Sequence, residues 1–409
     1  MLNKIWTGFF VVAMAAAIVQ AVFLGHPEVF AAMTAATFDL AKTAFEIALG
    51  LTGVMCLWLG LMRLGEKGGA VELLARVFGP LLRRLFPSIP AGHPAEGSIV
   101  MNMASNMLGL DNAATPLGLK AMREMQTLNP EPDRATDDQI LFLVINTSAV
   151  TVLPVTIFTY RAQMGAADPT DVFLPILIAT FCSTLVGLVV TSLVQRRRLN
   201  DPVILGWVGG LTLLVGGIVA YFAGLDREAA EAQSALLANV TIMTVITAFV
   251  VMAARRRVPV YETFVDGAKE GFQVAVGIIP YLVAMLVAIG VFRASGALDL
   301  LLDGVRAGTG ALGLDDRWVD ALPTALMKPL SGSGARGMLI ETMQTHGADS
   351  FAGRVASVVQ GSTETTFFVL AVYFGSVGIR RTRHALACGL AADAAGITAA
   401  ILVSYLFFG

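Results

Sequence analysis

The chain has 409 residues, a formal net charge of −2 and a mean hydropathy of +0.73. Hydrophobic residues make up 56% of it and charged residues only 14%, whereas soluble chains carry about 25% charged residues. Stretches of about 20 residues with few charges recur along the whole sequence, as in transmembrane helices. The composition excludes a soluble protein and a basic nucleic-acid-binding domain, and it predicts an all-α polytopic membrane protein.

About nine runs are nearly free of charge and meet or approach the ~20 residues that a spanning helix needs. They fall at about 5–24, 47–62, 140–160, 172–195, 203–225, 232–254, 271–292, 355–379 and 385–409. The first run has some features of a signal peptide, because Lys4 precedes it and residues 19–21 weakly resemble a cleavage site. We favour an uncleaved first span, since the run reaches Gly25 and further apolar segments follow.

Short clusters of lysine and arginine lie at the ends of these runs. They comprise Arg63, Lys67, Arg76, Arg83 and Arg84, then Arg196–Arg198, Arg255–Arg257, and Arg380, Arg381 and Arg383. The positive-inside rule places these clusters in the cytoplasm. The sequence therefore predicts a multi-pass protein of the inner (cytoplasmic) membrane, with its N-terminus in the cytoplasm and its C-terminus outside.

Two further segments are too apolar for loops and too interrupted for ordinary spans. Residues 97–119 contain Asp111, three glycines and Pro116, and residues 318–343 contain Lys328, Pro329, the serine–glycine run 331–334 and Arg336. Such backbone is tolerated at membrane depth only where it is buried in protein or lines a wet cavity. Both segments are predicted to be re-entrant hairpins, and amphipathic helices lying flat in the interface are the alternative.

The sequence contains an internal repeat. Residues 45–50 (Phe-Glu-Ile-Ala-Leu-Gly) resemble 272–277 (Phe-Gln-Val-Ala-Val-Gly), and 69–74 (Gly-Ala-Val-Glu-Leu-Leu) resemble 296–301 (Gly-Ala-Leu-Asp-Leu-Leu). Position 272 minus 45 and position 296 minus 69 both give an offset of 227 residues. Each repeat is predicted to contain a span, a surface helix, a polar hairpin, a span with a polar centre and a closing span.

The predicted topology makes the two repeats inverted copies, because 47–62 runs inward and its partner 271–292 runs outward. We divide the chain into a first repeat with an N-terminal span (1–195), a connecting transmembrane hairpin (196–257) and a second repeat (258–409). Inverted repeats with broken helices recur in secondary transporters.

Polar side chains concentrate in the two hairpins and in the centres of two spans. The predicted substrate-binding residues are Asn102, Asn106, Asp111, Asn112, Thr115, Asn146, Thr147 and Ser148 in the first repeat, and Ser331, Ser333, Arg336, Gln360, Ser362, Thr363 and Glu364 in the second. Glu364 and Asp393 are the predicted ion-coupling groups, for a proton or a sodium ion. Such polar residues also serve purely as bonds between helices, and Arg336 could form a structural ion pair with Glu364 or Asp393. Because an intramembrane charge is costly, the clustering favours a solvated binding site.

Catalytic and metal-binding patterns are missing from the sequence. The four histidines lie near predicted loops, and there is neither an HExxH nor a GxSxG motif. Cys56, Cys182 and Cys388 lie inside apolar runs without a CxxC pair, so we expect neither a disulfide framework nor a metal site. The chain is therefore predicted not to be an enzyme and to need no cofactor beyond a coupling ion.

The hairpin sequences resemble a known family. Residues 101–122 (Met-Asn-Met-Ala-Ser-Asn-Met-Leu-Gly-Leu-Asp-Asn-Ala-Ala-Thr-Pro-Leu-Gly-Leu-Lys-Ala-Met) resemble the signature of spore maturation protein A, and residues 329–338 with 360–365 resemble that of spore maturation protein B. Both belong to the Gate, or nucleoside recognition, domain family. Asp111 departs from the A-type motif, in which a glycine is expected.

The resemblance covers about 1–195 and 255–409, so the chain looks like a fusion of the two proteins. It implies a connection with spore maturation and, through distant similarity of the Gate domain to concentrative nucleoside transporters, a fold of hairpins and broken helices. Fold similarity is weak support for any particular substrate.

Two functions follow as hypotheses. The first is a transporter or permease for a small polar or anionic solute, and the alternative is a non-transporting membrane scaffold of an envelope or spore-maturation complex. The lipid bilayer and the solute are the expected partners, and a homo-oligomer is compatible with the sequence. If the repeats are inverted, the hairpins enter from opposite sides, Asn112 approaches Ser333, and the helix N-termini there offer an anion site.

Overall fold

The computed structural model describes residues 2–109, 111–148, 150–197, 200–225 and 227–409, with the backbone alone for residues 2, 111–113, 227, 228 and 231. Throughout these ranges the chain forms helices joined by short loops, and no β-strand occurs in them. The all-α fold class is therefore confirmed.

The helices form two successive series along the chain, with the same order of elements in each. An N-terminal helix α1 (Leu2–Val19) continues as a π-helical turn (Gln20–Leu24) and precedes the first series: α2 (Val29–Gly68), α3 (Ala70–Leu85), α4 (Pro94–Met107), α5 (Asp111–Gln126), α6 (Asp137–Thr147), α7 (Val155–Gln163) and α8 (Phe173–Val194). Two connecting helices follow, α9 (Pro202–Ala223) and α10 (Arg227–Arg255). The second series is α11 (Val260–Ala294), α12 (Ala297–Ala311), a 3₁₀ turn (Val319–Ala321), α13 (Leu322–Met327), α14 (Gly332–His346), α15 (Phe351–Ser362), α16 (Thr366–Ser376) and α17 (Ala385–Phe408).

The predicted repeat appears in this order of elements, since α2–α8 and α11–α17 correspond one to one. Gly69 and Gly296, which are 227 positions apart, precede the surface helices α3 and α12 in the left-handed conformation, with φ of 90° and 69°. Glycine adopts this conformation without the penalty that a Cβ imposes. The same turn therefore begins the surface helix in each repeat.

Eight segments of the described chain are long and apolar enough to cross a membrane. They are Asn3–Leu24, Val29–Gly68, Phe173–Val194, Pro202–Ala223, Ala232–Arg255, Val260–Ala294, Phe351–Ser376 and Ala385–Phe408. The predicted ninth span, 140–160, is instead the two short helices α6 and α7. Pro154 has no N–H to donate and disfavours helix in the residue before it, which explains an interruption at this point.

Both predicted hairpins form as pairs of helices, α4–α5 and α13–α14, whose members are shorter than the ~17 residues that cross a bilayer. In the first hairpin the side chain of Asn102 donates from Nδ2 to the carbonyl of Ala114 across the pair, at 2.7 Å. Much of α4 is buried, including Ser98, Ile99 and Asn102. A buried helix of this kind does not fit the alternative of an amphipathic helix lying flat in the interface.

Two compact units divide the chain. Unit 1 contains Met1–Gly60, Thr156–Pro169 and Asp266–Gln360, and unit 2 contains Leu61–Val155, Thr170–Val265 and Gly361–Gly409. Each unit therefore combines parts of both repeats, and the chain passes between the units once within each interrupted span.

The core of unit 2 is built around α6, whose residues from Asp138 to Thr147 are all buried. A capping box begins the helix: the side chain of Thr136 accepts from the backbone N–H of Gln139, and the side chain of Gln139 accepts from that of Thr136. Phe142 stacks on Tyr373 of α16, with ring centroids 5.8 Å apart. This packing fixes the orientation of α6 and hence of the polar residues at its C-terminal end.

Candidate functional site

The interruptions in the two spans meet within unit 2. The first break separates α6 from α7 and is described for residues 148 and 150–154. The second break, residues 363–365, separates α15 from α16. The backbone N–H of Glu364 in the second break donates to the carbonyl of Thr147 beside the first, at 2.6 Å. Equivalent irregular segments of the two repeats therefore lie against each other.

The turn of the first hairpin, at the end of α4, packs on the first break. The carbonyl of Met107 accepts from the backbone N–H of Val152 at 2.8 Å. Gly109 has a φ of 69°, and a Cβ at this position would lie 2.6 Å from the carbonyl oxygen of Leu153. Only glycine combines this conformation with so close an approach, so the sequence allows the hairpin end to reach the break.

An amide network joins three elements at this point. Asn106 of α4 donates from Nδ2 to Oδ1 of Asn146 on α6 at 2.7 Å, and the hydroxyl of Tyr373 on α16 donates to the same oxygen at 3.3 Å. Asn146 in turn donates to the carbonyl of Phe142 at 2.8 Å. The structure thus brings the predicted residues Asn106 and Asn146 together and adds Tyr373, which sequence reasoning missed.

Other predicted residues mainly serve their own helix. The hydroxyls of Thr147 and Ser148 donate to the carbonyls four residues earlier, at 3.0 and 2.8 Å. This back-bonding is a common structural use of such side chains. Ser362 and Thr363 are buried beside the second break, and Thr115 is half-buried on α5.

The two predicted ion-coupling residues differ in environment. Asp393 on α17 is 1% exposed, and its Oδ2 accepts from the hydroxyl of Thr366 at 2.6 Å. Glu364 is exposed within the second break. The two carboxylates therefore lie in different surroundings, one buried between helices and one exposed in the break.

Among the buried hydroxyls that have no hydrogen-bond partner within the residues described, two belong to the first hairpin and the second break, those of Ser105 and Thr363. Ser105 also lines a cavity of about 440 Å³ together with Met101 and Leu117 of the first hairpin. Buried polar groups in proteins are nearly always satisfied by protein or by water. Water or a bound molecule beside the first hairpin and the second break would supply the partners that these hydroxyls lack.

The second hairpin contributes a separate polar group in unit 1. The side chain of Ser331 begins α14 by accepting from the N–H of Gly334 at 3.0 Å, and its hydroxyl lies 3.3 Å from that of Ser333. Arg336 donates from Nε to the carbonyl of Gly332 at 3.1 Å. Gln360, also in unit 1, is buried, and its Oε1 has no partner in the described part of the chain.

Three predicted contacts are not tested by this structure. Arg336 belongs to unit 1, whereas Glu364 and Asp393 belong to unit 2, so either pairing stays a prediction. The side chains of Asp111 and Asn112 lie outside the described residues, and the predicted approach of Asn112 to Ser333 stays a prediction too.

Comparison with known proteins matches both repeats. The family model for nucleoside recognition, Gate, matches residues 48–164 and 275–380. The two matches begin 275 minus 48, or 227, residues apart, which is the offset of the internal repeat.

Two proteins of Bacillus subtilis (strain 168) are similar to the chain. Spore maturation protein B is 48% identical over 168 residues, which cover 41% of this chain and 93% of the relative. Spore maturation protein A is 36% identical over 198 residues, which cover 48% of this chain and 97% of the relative.

Among solved structures, CNTnw in an inward-facing substrate-bound state covers 98% of this chain and 89% of its own, with a TM-score of 0.41 and 14% identity. A TM-score of this size does not establish a shared fold. The family match and the two relatives do establish kinship, and the apolar helices establish the class of protein. The chain is a multi-pass membrane protein and belongs to the Gate, or nucleoside recognition, family.

Proposed function

We propose that the protein is a transporter or permease that moves a small polar solute through the site formed by the first hairpin and the two breaks. The observation that carries the proposal is the amide network of Asn106, Asn146 and Tyr373 beside the backbone contact of Thr147 with Glu364. Irregular backbone at membrane depth is tolerated where it lines a cavity, and transporters place their binding sites at broken helices.

The class of solute follows from the groups on offer. Amides, hydroxyls and a phenol recognise a solute that has its own hydrogen-bonding groups. The description of the family as nucleoside recognition makes nucleosides the first class to test. The spore maturation relatives suggest a physiological setting and name no solute.

The orientation is also part of the proposal. From the basic clusters we propose that the protein lies in the inner membrane, with its N-terminus in the cytoplasm and its C-terminus outside. The two repeats are then inverted, and the hairpins enter from opposite sides. No catalytic role and no nucleic-acid partner are proposed.

Uptake into proteoliposomes tests the transport function. Purified protein would be reconstituted and offered labelled nucleosides, dicarboxylates and small peptides, with empty liposomes as the background. We expect uptake of one class, and a loss of about tenfold in Asn146→Ala, because removing one partner of a buried hydrogen bond costs about 1–3 kcal/mol. Asn239→Ala is the matched control, since Asn239 lies on α10 and bonds to Thr170 instead.

Ion coupling requires a separate measurement. We propose that Asp393 or Glu364 binds the coupling ion, so Asp393→Asn or Glu364→Gln should remove the dependence of uptake on a proton or sodium gradient. Uptake with unchanged ion dependence in both folded variants would contradict the coupling role.

The scaffold alternative differs in solvation. Single cysteines at positions 106, 146, 333 and 362, in a chain without its native cysteines, would be exposed to membrane-impermeant thiol reagents. Labelling that changes with added solute supports a transporter. Uniform protection in every condition, together with uptake no greater than that of empty liposomes, supports the scaffold.

A further inference from the structure

A second polar cavity in unit 2 shares no lining residue with the candidate site. It has a volume of about 580 Å³ and lies between the end of α3, the end of α8 and the start of α9. Its polar lining consists of Arg83, Arg84, Ser192, Arg197, Asn200 and Asp201. Three guanidinium groups and one carboxylate lie in this lining, and two of the guanidinium groups also pair with the carboxylates of Glu96 and Asp138 outside it.

The residues that line the cavity lie at the ends of candidate spans, which indicates the depth of the cavity in a membrane. One candidate span ends at Val194 and the next begins at Pro202, so the cavity lies at the ends of two spans, where the headgroup region begins. The neighbouring helix α3 carries basic residues in its last turn and keeps Leu73 and Val77 largely exposed. Such an amphipathic helix is suited to lie in the interface of a membrane.

The three arginines differ in the hydrogen bonds and ion pairs that their guanidinium groups form with the protein. Arg197 is held in place, because it donates to the carbonyl of Leu85 at 2.7 Å and pairs with Asp138. Arg83 pairs with Glu96.

The side chain of Arg84 is 61% exposed, and the ion pair it forms with Asp201 is 3.9 Å long. That separation is too long for a hydrogen bond. The guanidinium of Arg84 is therefore not hydrogen-bonded to Asp201, and Arg84 lines the cavity.

Ser192 supplies an independent observation. It is 1% exposed in the wall of the cavity, and its hydroxyl has no hydrogen-bond partner among the described residues. A buried hydroxyl normally has a partner. An acceptor oxygen bound in the cavity would satisfy it.

We propose that this cavity binds the phosphate of an anionic membrane phospholipid, with Arg84 and Ser192 as its direct contacts and Arg197 as a fixed positive charge. Arginine matches the geometry of phosphate oxygens and can bind two of them at once. Basic pockets between transmembrane helices bind anionic headgroups in this way. The bound lipid would join α3 to the ends of α8 and α9, and this role is independent of transport.

Thermal unfolding of the full-length protein in a neutral detergent tests the proposal. The unfolding midpoint would be followed as phosphatidylglycerol, phosphatidylcholine or inorganic phosphate is added. Phosphatidylglycerol should raise the midpoint of the wild type. The half-saturating concentration should rise about fivefold in Arg84→Gln, since a basic residue near an anionic headgroup contributes about 1 kcal/mol.

Two further variants make the result specific. Ser192→Ala removes one buried hydroxyl with little change in volume, and it should also weaken the effect of phosphatidylglycerol. This variant keeps the proposal testable if Arg84→Gln fails to fold. Arg76→Gln is the matched control, because it removes the same charge from α3 at a residue that does not line the cavity. It should respond as the wild type does.

Three outcomes overturn the proposal. The first is an absent shift with phosphatidylglycerol, or the same shift in the wild type, Arg84→Gln and Ser192→Ala. The second is an equal shift with phosphatidylcholine, which would remove the preference for an anionic headgroup. The third is an equal shift with inorganic phosphate at the same concentration, which would assign the site to a free anion.

Discussion

Two arginine–aspartate contacts occupy equivalent places in the two repeats and differ in burial. In unit 1, Arg161 near the end of α7 contacts Asp349 in the loop after α14, at 3.1 Å. In unit 2, Arg381 after the end of α16 contacts Asp133 in the loop after α5, at 2.7 Å. Each contact joins the second helix of an interrupted span in one repeat to the loop that follows the hairpin in the other repeat. The side chain of Arg161 is 0% exposed, whereas that of Arg381 is 57% exposed.

The means of attachment differ accordingly. Arg161 also donates to the carbonyl of Ala348 at 2.7 Å, so its side chain itself holds the loop. At the other contact the backbone of Arg381 holds the loop. Its N–H donates to the carbonyl of Asp133, and its carbonyl accepts from the N–H of Ala135. Equivalent positions in the two repeats thus carry the same kind of ion pair, with a buried arginine in one and an exposed arginine in the other.

The largest effect is expected from Arg161→Met. The substitution leaves the carbonyl of Ala348 and Oδ1 of Asp349 without this donor, and each hydrogen-bonding group left unsatisfied costs about 1–3 kcal/mol. Thermal unfolding in detergent should show a strongly lowered midpoint, or the protein should fail to accumulate. A midpoint equal to that of the wild type would show that Arg161 is not important for the stability of unit 1.

A smaller effect is expected from Asp349→Asn. The amide keeps an oxygen that can accept from Arg161 but loses the negative charge, and it also weakens the acceptor for the N–H of Ala167, which lies 2.9 Å from Oδ2. Weakening hydrogen bonds to a charged group costs about 1–3 kcal/mol. The same unfolding measurement should rank this variant between the wild type and Arg161→Met. A loss larger than that of Arg161→Met would contradict the central role of the guanidinium.

Arg381→Met is expected to leave the unfolding midpoint close to that of the wild type. Exposed ion pairs contribute little to stability because water and salt screen them, and the backbone bonds to Asp133 and Ala135 remain after the substitution. The comparison with Arg161→Met uses the same change at the equivalent position. Equal losses in the two variants would remove the distinction drawn between the contacts.

The sequence predicted those features that interrupt an apolar pattern within a few residues. Asparagines, glycines and Pro116 mark the first hairpin, and Asn146 with Pro154 marks the centre of 140–160. Hydroxyl residues with Glu364 mark the centre of 355–379, and Asp393 is the single carboxylate of the last span. The sequence predicts residues 140–160 as one span, whereas the structure has two short helices there. A long apolar run favours a continuous span, and a single proline is a weak signal for an interruption.

Other features depend on contacts distant in the chain. Tyr373 joins the site only because α16 packs against α6, and its partner Asn146 lies 227 residues earlier. The burial of Arg161 likewise depends on Ala348, which lies 187 residues later. Such positions carry no local signal, since an isolated arginine at the end of an apolar run also fits an exposed loop.

The smallest effect concerns the pH dependence of the exposed contact. Hydrogen bonds from the guanidinium of Arg381 lower the pKa of the Asp133 carboxyl below its usual value of 3.8. A carboxyl whose pKa is depressed by folding stabilises the protein above the unfolded pKa, and this contribution is lost as the pH falls through the folded pKa. Titration of the Asp133 carboxyl by carbon-13 NMR should show its pKa rising toward the usual value in Arg381→Met. It should rise less in Arg380→Met, because the side chain of Arg380 acts on the carboxyl of Asp133 only through its charge. Equal pKa values in the wild type and Arg381→Met would show that the exposed contact does not persist in solution.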